Sequence, residues 1–188
     1  MKNFRKIRAG LAVGAFVDEI EARAELWLAE TRRQDRIKVQ RETQSIPLRT
    51  GFVSADSPFP LEDSEELLDT RYLAEFPRIA AFVEQFARDA GGELGRVYLA
   101  RLRPDGRVYR HVDHGSYYAR RDRYHVVLVS DRAAMTCGDE TVVMAEGDVW
   151  WFDNKQPHES HNPSSAWRVN LIFDVLPGHL VNRAAAAG

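Results

Sequence analysis

Only one of the 188 residues is a cysteine, Cys137. A lone thiol excludes an internal disulfide framework and a multi-cysteine zinc site. Stability must therefore come from a core, and any metal must be held by histidine and carboxylate. Neither sign of charge is in excess: the formal net charge is −2 and the pI is about 6.3. That balance gives no electrostatic case for nucleic acid as a partner. Long hydrophobic runs are missing too. The run from Ala9 to Val17 carries two glycines and stops at Asp18 and Glu19, too short to span a bilayer and without a convincing cleavage site. The expectation is a soluble, cytoplasmic protein with no membrane partner. There is no internal repeat, no low-complexity block and no linker, so residues 1–188 are read as one domain. Histidine is what the chain does not lack, since five of the six lie between positions 111 and 161.

The first half, residues 1–92, reads as a mainly helical layer. Phe16, Ile20, Trp27 and Leu28 recur at near-helical spacing. KVQRETQSIPLR alternates through Val39, Arg41, Thr43 and Ser45, which suits a strand near 38–49. Pro58 and Pro60 mark a loop. A second helix starts at Pro77, carries Ile79, Phe82, Val83 and Phe86 as one apolar stripe, and stops at Gly91-Gly92. Residues 93–178 read as short strands near 96–103, 107–113, 123–130, 140–144, 148–153 and 167–175. Turns fall at Pro104-Asp105-Gly106, Cys137-Gly138-Asp139 and Gly147-Asp148. Short strands with no helix between them predict an antiparallel, mainly β domain of jelly-roll or cupin-like type, with the N-terminal helices packed on one sheet. Residues 179–188, ending in RAAAAG, read as a frayed tail.

The chemistry concentrates in RVYRHVDHG, residues 107–115. Residues two apart on a strand share a face, so His111 and Asp113 project together. His158, just past the strand at 148–153, offers a third ligand. Two histidines and a carboxylate make the facial triad of non-heme Fe(II) sites. An H-x-D pattern alone arises often by chance. Arg168, ten residues after His158 on the next strand, strengthens it. An arginine directed into a barrel is costly unless an anion meets it. Ligands at one end and a guanidinium at the other describe a pocket for a dicarboxylate that chelates iron, the arrangement 2-oxoglutarate needs. Arg123 and His125 share a face on RYHVVLVS and could steady the same anion, although Arg123 also reads as an exposed residue at a strand entrance. Trp150 and Trp151 face opposite ways, one of them into the core. Cys137 reads as a partly buried turn residue, His161 as a solvated loop residue, and His179 as exposed. Residues 41–60 and 115–122 are read as the mouth of the pocket.

The strings RLRPDGRVYRHVDHG, RYHVVLV, CGDETVVMAEGDVWWFDNKQPHESHN and WRVNLIFDVLP together resemble the aspartyl/asparaginyl β-hydroxylase family. The resemblance spans roughly residues 96–177 and implies a double-stranded β-helix. It implies His111 and His158 as iron ligands, with Asp113 as in the members that retain H-x-D. It implies Arg168, His125 and Arg123 as contacts to 2-oxoglutarate. His114 competes for the first ligand position: spacing back from R-x-H suits it, while spacing forward from Pro104 suits His111, which alone pairs in face with Asp113. The implied activity is hydroxylation of an unactivated C–H of an amino acid, or of a residue in a peptide, with Fe(II), 2-oxoglutarate and O2. The alternative is a cupin-like binding or sensing domain that uses the same pocket without turnover.

Overall fold

A computed structural model describes residues 1–29, 31, 35, 37–51 and 65–185 of the chain. Among these residues eleven strands run in order as β1 (Phe4–Arg8), β2 (Thr43–Gly51), β3 (Leu67–Asp69), β4 (Glu93–Leu102), β5 (Gly106–His111), β6 (Asp122–Val129), β7 (Ala134–Cys137), β8 (Glu140–Val143), β9 (Val149–Phe152), β10 (His158–Asn162) and β11 (Arg168–Leu176). Two sheets form, ordered β1-β9-β6-β11-β4-β2-β3 and β5-β10-β7-β8. Every pairing is antiparallel. The result is the double-stranded β-helix expected from the turn-separated short strands.

The period of two along the central strands sorts their side chains. Val97, Leu99, Val126, Leu128, Leu171 and Phe173 are buried with Ile79 and Val83 of the helical layer. Val127, Met135, Cys137, Met144, Trp150 and Phe152 fill a second cluster. The larger sheet is thus apolar on its helix side. The face turned to the smaller sheet is mixed and carries His125, Arg168 and Asn170. Trp150 and Trp151 divide between the two clusters as strand alternation requires.

Helix α1 (Gly14–Glu21) packs against helix α2 (Pro77–Asp89). Glu19 of α1 accepts hydrogen bonds from the Arg78 and Ile79 N–H groups at 2.8 and 3.3 Å, so one helix caps the other. Gly91 ends α2 at φ +65°, with Gly91 N–H bonded to Arg88 O and Gly92 N–H to Ala87 O, both at 2.9 Å. That is a Schellman stop.

Several elements differ from the sequence expectation. The N-terminus contributes β1, whose Arg5 and Lys6 lie over the Trp151 and Trp150 rings at 4.4 and 4.8 Å. Residues 38–40 form a 3-10 turn, and β2 begins only at Thr43, whose hydroxyl donates to Gln40 O at 2.7 Å. Leu28 is exposed rather than part of an apolar stripe. The tail is helical at Gly178–Ala185 (α3). Pro58 and Pro60 lie outside the described residues. No helix among the described residues is long and apolar enough to cross a membrane.

Candidate metal centre

β5 ends at His111 and β10 begins at His158, and the two residues are directly paired across the strands. Their ring centroids lie 4.2 Å apart. Each imidazole is fixed by a carbonyl two residues earlier. His111 Nδ1 is 2.7 Å from Tyr109 O, and His158 Nδ1 is 3.0 Å from Gln156 O. A carbonyl only accepts, so each Nδ1 carries the hydrogen and each Nε2 keeps its lone pair.

Asp113 lies beyond the end of β5, not on it. Its N–H donates to Asn154 O at 3.1 Å, which brings the carboxylate back to the histidines. Oδ1 stands 3.7 Å from His111 Nε2. Oδ2 accepts from Arg123 Nη1 at 2.7 Å and from the Asn154 amide at 3.0 Å. Ligand atoms of His111, Asp113 and His158 all lie within 4.8 Å of one another. His114, the competing histidine, is exposed.

Electrostatics leave Asp113 and His158 in metal-binding form at neutral pH. Burial alone would raise the Asp113 carboxyl, but the Arg123 guanidinium, then His158, the Asn154 amide and His111, hold it at about 2. Burial lowers His158 to about 4 against the opposing pull of Asp113. Two imidazole nitrogens and one carboxylate oxygen form a donor set that suits divalent iron.

The opposite wall belongs to the larger sheet. Arg168 is 6% exposed and meets no carboxylate among the described residues. Its Nε has no hydrogen-bond partner, and burial brings its pKa down to about 10. Asn170, two residues along the same face, satisfies its neighbours when its amide oxygen accepts from Arg168 Nη2 at 2.6 Å and from His125 Nδ1 at 3.1 Å. Burial first, then the nearby Arg168 and Arg123 charges, push His125 well below the usual histidine range. One cavity is lined by His111 and His158 on one side and by His125, Arg168 and Asn170 on the other.

Arg123 is placed differently from the sequence expectation. It lines the cavity, but its donors go to Asp174 and Asp113 rather than to open space. Nor is it exposed, at 6%. Cys137 is not a turn residue. It ends β7, is buried, and sits directly opposite His158. His161 lies on β10, half-buried, 3.5 Å from Asp105. His179 is exposed. Around the mouth, Thr43 and Ser45 do line the cavity, while Tyr117 and Tyr118 turn inward and are buried. Residues 52–60 lie outside the described residues. Asn154, Asn170 and Asp174 have no assigned role in the sequence reading. The last two share a face with Arg168 by simple alternation, a signal that was available.

A double-stranded β-helix with a two-histidine, one-carboxylate cluster facing a buried arginine defines a class of oxygenase-like β-barrels. Within it the chain belongs to the aspartyl/asparaginyl beta-hydroxylase family, whose family model matches residues 30–177. The mouse aspartyl/asparaginyl beta-hydroxylase is 29% identical over 101 residues, which cover 53% of this chain and 13% of the mouse protein. The match therefore spans only a small part of that relative's length. Among solved structures, AviO1 from Streptomyces viridochromogenes is similar at TM-score 0.55 and 18% identity, covering 93% of this chain and 89% of its own. The viral collagen prolyl hydroxylase of Paramecium bursaria Chlorella virus-1, in its 2-oxoglutarate complex, is similar at TM-score 0.53 and 11% identity, covering 92% and 95%. At those identities the likeness is one of fold.

Proposed function

We propose that this chain is an Fe(II)- and 2-oxoglutarate-dependent hydroxylase acting on an amino acid or on an amino-acid residue in a peptide. The observation that carries this reading is Arg168. A buried guanidinium with no carboxylate among the described residues calls for an anionic ligand. Across the cavity stand two histidines oriented by backbone carbonyls and one carboxylate, a donor set that suits a divalent metal. A dicarboxylate that is also a chelator fits both ends at once. The family and the 2-oxoglutarate complex of the viral prolyl hydroxylase support the same co-substrate.

On this reading His111, Asp113 and His158 hold the metal, and Arg168 binds the far carboxylate of the co-substrate. Asn170 holds Arg168 and His125 in place. Fe(II) with 2-oxoglutarate and O2 supplies C–H hydroxylation, converting 2-oxoglutarate to succinate and CO2. The protein's own contribution is orientation and a walled cavity. The apolar side chains Met135 and Phe152 flank the polar groups there and limit water. Soluble, cytoplasmic residence belongs to the same proposal.

The test is succinate formation from 2-oxoglutarate with Fe(II) and ascorbate. The wild-type protein should form succinate, and His111→Ala, Asp113→Ala and His158→Ala should each abolish it. Succinate formation that survives all three changes would remove the site assignment. A mass-shift screen over amino acids and peptides would then identify the substrate.

A further inference from the structure

Arg123 and Asp174 are directly opposite each other across the β6–β11 pair. Arg123 Nε and Nη2 donate to the two Asp174 oxygens at 2.8 and 3.0 Å. A guanidinium is planar, and two such bonds to one carboxylate fix its plane. Its remaining edge then presents Nη1 to Asp113 Oδ2 at 2.7 Å. Asn154 donates to the same oxygen at 3.0 Å. Oδ2 is thereby occupied, and Oδ1 is left on the side of His111 Nε2. Asp174 is anchored in turn by the Tyr117 hydroxyl at 3.2 Å. Arg123 and Asp174 lie on the larger sheet and Tyr117 on the short helix Ser116–Ala119, and none of the three belongs to the ligand cluster.

We infer that Asp174 and Arg123 form a relay that sets the orientation of Asp113, so that Arg123 is a positioning residue for the metal rather than a contact for the co-substrate. The inference rests on the metal site proposed above. Meeting a co-substrate carboxylate would oblige Arg123 to give up one of three short charged bonds. One guanidinium between two carboxylates also leaves the cluster net negative, so attraction for a cation survives. A carboxylate with one oxygen tied offers the other to a metal without having to lose rotational freedom on binding.

The test separates metal affinity from co-substrate affinity. Anaerobic Co(II) titration, followed by its visible absorption, reads the first. Calorimetry with 2-oxoglutarate at saturating Co(II) reads the second. Arg123→Met and Asp174→Asn should each weaken Co(II) binding roughly 10–100-fold and leave 2-oxoglutarate binding unchanged. Arg123→Lys keeps a charge but not the fork, and should fall between wild type and Arg123→Met. Should Arg123→Met fail to fold by circular dichroism, Asp174→Asn and Arg123→Lys still decide. Unchanged Co(II) affinity in Asp174→Asn, or weakened 2-oxoglutarate binding with Co(II) affinity intact, overturns the relay. A wild-type protein that takes up no Co(II) would instead overturn the metal-site reading itself.

Discussion

Arg168 is held in the cavity wall at an energetic cost, since its charge is desolvated and among the described residues meets amide and thioether groups. Replacing it with an apolar side chain of similar length removes that cost. Arg168→Met is expected to stabilise the metal-free protein, by on the order of 1 kcal/mol in urea denaturation. On the proposed reading the same change should weaken 2-oxoglutarate binding at least about tenfold, because a charged contact is lost. Co(II) affinity should be unaffected. Lower stability together with intact 2-oxoglutarate binding would mark Arg168 as a structural residue. The sequence showed Arg168, His111 and His158 clearly, because alternation and turn spacing report which face a side chain takes. They do not report what a side chain meets there. Arg123 illustrates the limit: it faces the cavity side as expected, and Asp174 opposite it claims its donors. Asp113 reached its place by a route the sequence reading did not contain, through the Asn154 backbone rather than strand pleating.

Among the elements, the least legible strands were β7 and β10. HESHN has no apolar alternation, yet β10 is central in its sheet, between β5 and β7. Its polar side chains are tolerated because they have partners or line the cavity, as His158 and Ser160 do. β1 escaped notice for the opposite reason, since four of its five residues are exposed. Helix α2 was legible at both ends, and its stop permits a quantitative check. An added Cβ at Gly91 would meet nothing within 4 Å, so substitution there costs conformational energy alone. Gly91→Ala should lower stability by about 1–2 kcal/mol, read as a urea midpoint with unchanged slope. Gly91→Asn should cost less, since asparagine tolerates the left-handed region. Equal losses for the two would mean the stop is not under local backbone control.

For the molecule as a whole, acid should be destabilising in the absence of metal. His125 and His158 are held neutral in the fold, mainly by burial. Each gains a proton on unfolding once the pH is below the ordinary value of 6.5. The unfolded state then binds more protons, so stability falls as the pH drops, for His158 between 6.5 and about 4. Asp113 adds to the loss only lower, between 3.8 and about 2. Urea midpoints of metal-free protein should therefore decline from pH 7 to pH 5, and His158→Gln should flatten that decline. A midpoint that rises toward pH 5 would contradict it. The two histidine ligands belong to the smaller sheet, whereas Arg168, His125 and Asn170 belong to the larger one. Occupancy of the cavity thus becomes a clasp between two layers. Amide hydrogen exchange should slow in β5 and β10 when a divalent metal is added, and around Arg168 and Asn170 of β11 only when 2-oxoglutarate follows. The order in which the layers go quiet would then record the order in which the cavity is filled.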